Sequence, residues 1–465
     1  MKILLLNPSY SKKMLVSDPI LTRCSGIPYK APYMWPPVGL AYIASAIREF
    51  SNATVKILDA QVEKFEPEMA KMYDMVVINT GTPTINDDIK LSETIRTTGG
   101  PKIALMGVHA AYFHKELASY CDFVVRCEPD VVLPNLVKCL EGRISKEKVS
   151  GITWIDREGR IRVNRNQRPT DDLDKMPFQA ADLLSGKYYD LLAKNHPISF
   201  IISSRYCPFK CSFCSSKFYS KNYRQRSANN VVEEIEMLKT QGFRDFTFFD
   251  DTFTINKKRV LEICDAFKKE IGDVSWRCLS RTDHVDRELL NKLKESGCYQ
   301  IHFGVESGDQ GMLDLMKKGT NLNNIRTAFR LCDEIGIETI GSFIIGFPGE
   351  TEKSIEKTIK FAHEIKPDFV SFNVFTPLPG SEIFKNLPKK NWELYDFMST
   401  SFCEISSKEI SENVGKAYRD YYMNAGYVLR RINKTGEPFR IAKQNLNFWA
   451  KKSGVLWDFI KNKPR

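Results

Sequence analysis

No apolar run in this 465-residue chain reaches the length of about twenty residues that a bilayer-crossing helix needs. The opening MKILLLNPSY is apolar only until Asn7 and Pro8 stop it, so it reads as a first buried strand and not as a signal peptide. The expected location is therefore cytoplasmic. A net charge of +11 comes without any nucleic-acid-binding motif, which removes nucleic acid from the expected partners. Cysteine is plentiful at twelve residues, but ligand-like spacing is not. Only one stretch has it, and no second Cys-x-x-Cys and no histidine pair follows downstream. A closed zinc site, which takes four such ligands in paired spacing, would lack partners here. Most other cysteines stand singly in apolar contexts, such as Cys264 in VLEICDAF and Cys332 in AFRLCDEIG. They read as small buried hydrophobes in a reducing compartment.

A hydrophobic share of 42% is that of an ordinary globular protein, and the length suggests about three or four domains. Residues 1–140 alternate strand and helix: MKILLLN, PPVGLAYIASAIREF, TVKILDA, DMVVINTGT, INDDIKLSETIRTTG, PKIALMG and CDFVVRC. Parallel strands joined by helices imply a doubly wound, Rossmann-like α/β sheet, which binds ligands at the carboxyl ends of its strands. The candidate loops are NPSY, NTGTPT, MGVHA and RCEPD. Residues 141–195 hold a hairpin, GITWIDREGRIRVN, turning at Glu158–Gly159, and then a linker punctuated by Pro and Asp. Over 196–385 the strand-then-helix rhythm repeats six times, with strands ISFIISS, DFTFFDD, VSWRCLSRTD, YQIHFGVES, TIGSFIIGF and DFVSFNVF. This predicts a partial (β/α)6 barrel of TIM type, with its site at the carboxyl ends of the strands. Residues 386–465 read as mainly helical. From Tyr427 to Arg465 ten Lys/Arg face two acidic residues, Glu437 and Asp458. With Trp449 and Trp457 eight apart, this is either a helix with a solvated basic side or a peripheral membrane contact.

The one ligand-like stretch is SSRYCPFKCSFCSSK, with Cys207, Cys211 and Cys214 in Cys-x-x-x-Cys-x-x-Cys spacing at the end of the first barrel strand. Three thiolates on one loop can hold three irons of a [4Fe–4S] cube. The fourth iron then keeps an open position for an external chelator with an amine and a carboxylate.

This spacing, at this place in the rhythm, resembles the signature of radical SAM enzymes. Phe213 matches the aromatic residue that the family packs on adenine. The resemblance implies a [4Fe–4S] cluster whose open iron binds S-adenosylmethionine (SAM), and cleavage of SAM to a 5′-deoxyadenosyl radical that abstracts hydrogen from an unactivated carbon. It also implies that Asp250 or Asp251 in FFDDTF holds the methionine amine, in place of the commoner Gly-Gly-Glu form. Arg281 in LSRTD would hold the methionine carboxylate. Glu306 in HFGVESG would contact SAM, and IIGFPGET would pass near the adenine.

The first domain is similar to the cobalamin-binding domain fused to one large radical SAM subgroup, through WPPVGLAYIASAIRE, TGTPTINDDIKLSETIR, GVHA and VVRCEPD. YRDYYMNAGYVLRRI fits that group's helical tail. The Asp-x-His-x-x-Gly motif that places histidine under cobalt is absent, so the resemblance implies cobalamin without a protein histidine ligand. Thr80, Thr82, Gly107, His109 and Glu128 would touch the corrin side chains or nucleotide tail. Cys127 stands where relatives carry Gly, and Asp130 where they carry Glu. The implied activity is C-methylation of an unactivated carbon, with a small-molecule or lipid-like substrate and an external reductant such as flavodoxin or ferredoxin. Two other readings stand beside it: an oxidative cyclase or rearrangement enzyme acting on a tetrapyrrole or lipid, and a non-catalytic iron–sulfur or cobalamin sensor.

Overall fold

A computed structural model of the chain describes residues 1–9, 14–15, 27–28, 33–220, 222–386 and 401–435. Five strands of the first sheet run parallel: β1 (Lys2–Asn7), β2 (Thr54–Asp59), β3 (Met75–Asn79), β4 (Lys102–Met106) and β5 (Phe123–Val125), in the order β2-β1-β3-β4-β5. Helices cover both faces, which is why the strands are apolar throughout and do not alternate. Ile3, Leu5, Val55 and Val77 pack under α1 (Val38–Phe50) and α4 (Pro129–Leu140). Leu4, Leu6, Val76 and Ile78 pack under α2 (Ile85–Thr97) and α3 (Val108–Tyr112). Strand order reverses between β1 and β3, so the carboxyl ends of these two strands, Asn7 and Asn79, flank the crevice where such sheets bind ligands.

The hairpin expected to open the second region joins this first sheet instead. Strands β6 (Ile152–Ile155) and β7 (Ile161–Val163) add antiparallel to the edge of β5, which is only three residues long and would otherwise leave an unpaired edge. The predicted turn is there: Gly159 has φ +77°, and Asp156 accepts from the Glu158 and Arg160 amides at 2.9 Å each.

The second sheet has six parallel strands in chain order: β8 (Ile198–Ile201), β9 (Asp245–Phe248), β10 (Ser275–Ser280), β11 (Cys298–Glu306), β12 (Glu338–Ile345) and β13 (Phe369–Val374). The intervening helices start where the sequence supplies a cap. Ser227, Asn256, Asp286, Asn321 and Thr351 each accept the amide of the third helical residue of α5 (Ala228–Thr240), α6 (Lys257–Ala266), α7 (Arg287–Glu295), α9 (Leu322–Ile335) and α10 (Glu352–Ile365). The short α8 (Gln310–Leu315) precedes α9 and is capped by Asp309. Cys264 and Cys332 are fully buried in this core, beside Cys278 and Cys298.

Beyond α11 (Glu382–Asn386), α12 (Ser407–Tyr422) and α13 (Ala425–Thr435) seal the outer edge of β13. Tyr422 and Tyr418 hydroxyls accept the Val370 and Phe372 amides at 2.9 Å, and Tyr427 donates to the Asp368 carbonyl at 2.9 Å. These bonds satisfy backbone groups that a bare edge would expose. Trp449, Trp457 and the basic residues beyond position 435 lie outside the described residues, as do residues 387–400. Among the described residues no helix is long and apolar enough to cross a membrane.

Candidate functional site

Asp250 fixes where the cysteine loop begins. It follows β9 and is almost fully buried. Its carboxylate accepts from the Ser203 amide (2.7 Å), the Ser203 hydroxyl (2.6 Å) and the Ser204 amide (3.0 Å), all just past β8. Next, Ser204–Arg205 pairs antiparallel with Arg224–Gln225 and closes the loop that carries the three cysteines. The loop is pinned from outside: Ser212 donates its amide to the Met316 carbonyl, and accepts the Ile383 amide on its own carbonyl, at 2.9 Å each.

Cys207 and Cys211 are half-buried and Cys214 is exposed. Each sulfur has a polar neighbour. Thr252 Oγ1 lies 3.7 Å from Cys207 Sγ, Arg281 Nη1 donates to Cys211 Sγ at 3.8 Å, and the Ser216 amide donates to Cys214 Sγ at 3.4 Å. Donors around sulfur suit thiolate ligands. Burial, first of all, pushes the Cys207 thiol up, and the charges of Asp251 and Cys211 add to it. Among the described residues no three His, Cys, Asp or Glu side chains converge on one metal-sized point. A four-iron cube does not ask for that, since each thiolate binds a different iron. The donor set therefore fits a cluster better than a single ion.

The other sequence-predicted residues separate into those that face the loop and those already committed. Asp250 is committed to Ser203 and Ser204, whereas Asp251 is exposed and lines a cavity together with Cys214. Arg281, expected to hold a carboxylate, is engaged by protein. Its Nε and Nη2 donate to Asp283 at 2.9 and 2.7 Å, Nη2 also donates to the Lys318 carbonyl at 2.7 Å, and the guanidinium lies 3.9 Å from the Phe209 ring centroid. It buttresses the cysteine loop through Phe209 and Cys211. Glu306 ends β11 with φ +68° and accepts from the buried Lys318 ammonium at 2.7 Å. Phe213 packs on an apolar group of Met312, Met316, Phe347 and Phe375. Phe347 belongs to IIGFPGET, so the two stretches expected near adenine do meet. In the same turn Glu350 is buried and bonds the Gly346 amide, and burial lifts its pKa to about 7.

On the first sheet, the strand-end crevice is polar and closed. Asn7 donates to Asp59 at 2.9 Å, and Thr80 Oγ1 donates to the Met106 carbonyl at 2.7 Å. Asn79 Oδ1 and Thr82 Oγ1 are buried without a hydrogen-bond partner among the described residues, the kind of atom a bound polar group would satisfy. His109, on α3, packs tilted beside Phe113 with ring centroids 4.8 Å apart, and burial lowers its pKa to about 3, so it is neutral. Gly107 has φ +117°, and a Cβ there would meet the Thr80 carbonyl oxygen at 2.6 Å. Gly107→Ala is accordingly expected to cost about 2 kcal/mol, read as a lowered unfolding midpoint in denaturant.

Glu128 does not face this crevice as expected. It stands just before α4 at 2% exposure, and its carboxylate is taken up by the second sheet's loop. Tyr206 donates to Oε1 at 2.6 Å, Arg205 Nη1 donates to Oε2 at 2.9 Å, and Arg224 also pairs with it. Arg205 pairs with Asp130 as well. Nothing local in the sequence flags this contact: RCEPD and SSRYC are about eighty positions apart, as the 77-residue separation of Glu128 and Arg205 shows. A second seam runs from α1, where Tyr42 donates to Glu234 at 2.9 Å and accepts the Ile202 amide at 3.3 Å. Between the two seams lies a cavity of about 200 Å³. Tyr42, Ile43, Ile202, Tyr219, Phe249 and Leu378 make its apolar wall, and Asp251, Cys214 and Arg205 are among its polar lining.

Comparison with known proteins agrees with this geometry. Residues 201–362 match the model of the Radical SAM superfamily. An uncharacterized methyltransferase of Pyrococcus horikoshii, PH0819, is 32% identical over 418 residues, covering 85% of this chain and 90% of that one. The anaerobic magnesium-protoporphyrin IX monomethyl ester cyclase of Rubrivivax gelatinosus is 27% identical, over 87% of this chain and 76% of its own. Among solved structures, the radical SAM methyltransferase TsrM of Kitasatospora setae, with cobalamin and a [4Fe–4S] cluster bound, superposes with a TM-score of 0.63 at 16% identity, over 83% of this chain and 75% of that one.

Proposed function

Because this chain belongs to the radical SAM superfamily, as its relatives and its matched residues show, we propose that it is a cobalamin-dependent radical SAM methyltransferase acting on an unactivated carbon of a small, largely apolar molecule. The observation that carries this reading is the three-thiol loop opening on the cavity that α1 of the first domain also walls. In it, residues 196–385 form the partial barrel and residues 1–140 the corrin-binding domain.

When bound, the cluster supplies the electron that cleaves SAM, and the corrin supplies the methyl group. The chain's own part is to hold and to exclude. Cys207, Cys211 and Cys214 are the cluster ligands. Asp251, exposed beside them, is placed to accept the SAM amine, and Phe213 with Phe347 offers an apolar bed for adenine. Glu306, neutralised by Lys318, presents a fixed carboxylate oxygen at the end of β11. Thr80, Thr82, Gly107 and His109 form the corrin side of the crevice, without histidine ligation to cobalt. The aromatic and aliphatic cavity wall keeps water from a reactive radical. An external flavodoxin or ferredoxin would serve as reductant in the cytoplasm. The Trp-bearing tail outside the described residues is the segment for any contact with a lipid surface.

The relative that closes a ring on a magnesium porphyrin supports a second reading, oxidative cyclisation of a tetrapyrrole or rearrangement of a lipid. One experiment separates these. The full chain is reconstituted anaerobically with iron, sulfide and hydroxocobalamin, then given SAM, a reductant and candidate substrates. Methylation appears as a product heavier by one CH₂ with S-adenosylhomocysteine formed alongside. A product lighter by hydrogens, with no S-adenosylhomocysteine, assigns cyclisation. An intact cluster that yields neither S-adenosylhomocysteine nor 5′-deoxyadenosine rejects both in favour of a sensor.

A further inference from the structure

We propose that Glu128 and Asp130 are positioning residues that lock the cysteine loop to the first sheet, so that α1 of the first domain and the open side of the loop face each other across one cavity. This rests on the two-cofactor reading above. Glu128 and Asp130 are 2% and 1% exposed; of the two guanidiniums that pair with them, Arg224 is buried and Arg205 keeps 14% of its side chain exposed. Two acids against two bases make a neutral, largely buried quartet, in which losing one member strands its partners. Such a set is a weak source of net stability, so its value lies in fixing geometry.

What it fixes can be read along the chain. Val125 ends β5, and Glu128, three residues on, is the residue before α4, so its backbone is fixed between two regular elements of the first domain while its carboxylate makes no bond to that helix. On the other side, Arg205 belongs to the short ladder that closes the cysteine loop, and Tyr206 is the residue immediately before Cys207. Tyr206 has φ +66°, a left-handed backbone that a residue with a side chain keeps only when its surroundings impose it. Two contacts hold it there: its hydroxyl bond to Glu128, and the Arg224 guanidinium 5.2 Å from its ring centroid. A displacement of the β5–α4 loop therefore moves the backbone of the first cysteine ligand directly. Asp130 and Arg205 also line the cavity, so the clamp forms part of the wall between the two halves.

The test uses the full chain and two variants, Glu128→Gln and the milder Tyr206→Phe, which removes one hydrogen bond and no charge. The first readout is amide hydrogen exchange. The clamp predicts at least tenfold faster exchange over residues 203–214 in both variants, with residues 338–345 unchanged. Unchanged exchange over 203–214 in Tyr206→Phe overturns it, and so does a uniform rise across the protein, which is what a purely stabilising contact would give. The second readout uses reconstituted protein with added cob(I)alamin, SAM and an excess of a low-potential one-electron reductant that reduces the cluster, but no substrate. S-adenosylhomocysteine, which needs corrin and SAM face to face, is expected to fall at least tenfold more than 5′-deoxyadenosine, which needs only the cluster. Equal loss of both overturns the alignment role. A wild type that makes neither product counts against the two-cofactor reading, and the exchange readout then judges the clamp alone.

Discussion

Replacing Cys211 by Ala is expected to leave a folded protein that holds no intact cluster and cleaves no SAM. The residue sits on a half-exposed loop and contributes little to any core, so its unfolding midpoint should stay within about 2 °C of wild type. Its sulfur is the one that Arg281 approaches, at 3.8 Å, and it lies between the other two ligands in sequence. With it gone, two thiols remain, and two ligands do not hold a four-iron cube against loss of iron. Cys264→Ala is the informative control. Cys264 is equally a free thiol but is fully buried in the core of the second sheet. It should keep its iron and lose about 1–2 kcal/mol of stability from the cavity left behind. Iron and sulfide analysis beside a melting curve separates the two kinds of cysteine. Cys211→Ala with full iron content, or Cys264→Ala with none, would reverse the assignment.

The second large effect divides two neighbouring aspartates. Asp250→Ala is expected to cost about 3 kcal/mol, because the Ser203 and Ser204 amides lose the buried carboxylate that accepts from them. Removing it frees the start of the cysteine loop, so cluster loading should fall with stability. Asp251→Asn is expected to leave the melting curve unchanged and to raise the KM for SAM about tenfold, the order of one charge-assisted hydrogen bond of about 1.5–3 kcal/mol. Denaturant unfolding and SAM-dependence of 5′-deoxyadenosine formation measure the two halves of this contrast. If Asp250→Ala and Asp251→Asn shift KM alike with no loss of stability from either, a structural role for Asp250 fails.

Local signals carried most of the architecture. The six strands of the second sheet sit where the strand-then-helix rhythm puts them, because each choice depends on a few neighbouring residues. The three cysteines stand out for the same reason: all three lie within eight residues of chain and share one loop. What the sequence hid are contacts between distant segments. Glu128 looked like a crevice residue because it follows a strand of the first sheet, yet its partners Arg205, Tyr206 and Arg224 lie in another sheet's loop. Arg281 looked free to bind a carboxylate because Asp283 is a near neighbour in sequence whose geometry no spacing rule predicts. The hairpin was assigned to the wrong side of a boundary, since nothing in its own residues says which edge strand needs covering. The sequence does not say that Asp250 is enclosed and Asp251 exposed, because the two are adjacent and alike.

The central claim is that the vacancy left by three cysteines is where SAM binds and is cleaved. The most direct measurement is 5′-deoxyadenosine formed by the anaerobically reconstituted full chain given SAM and a strong reductant, beside Cys211→Ala treated identically. The account predicts formation by the wild type that rises with cluster content, and none by the variant. Equal amounts from both proteins, or none from a wild type with a complete and reducible cluster, would contradict it.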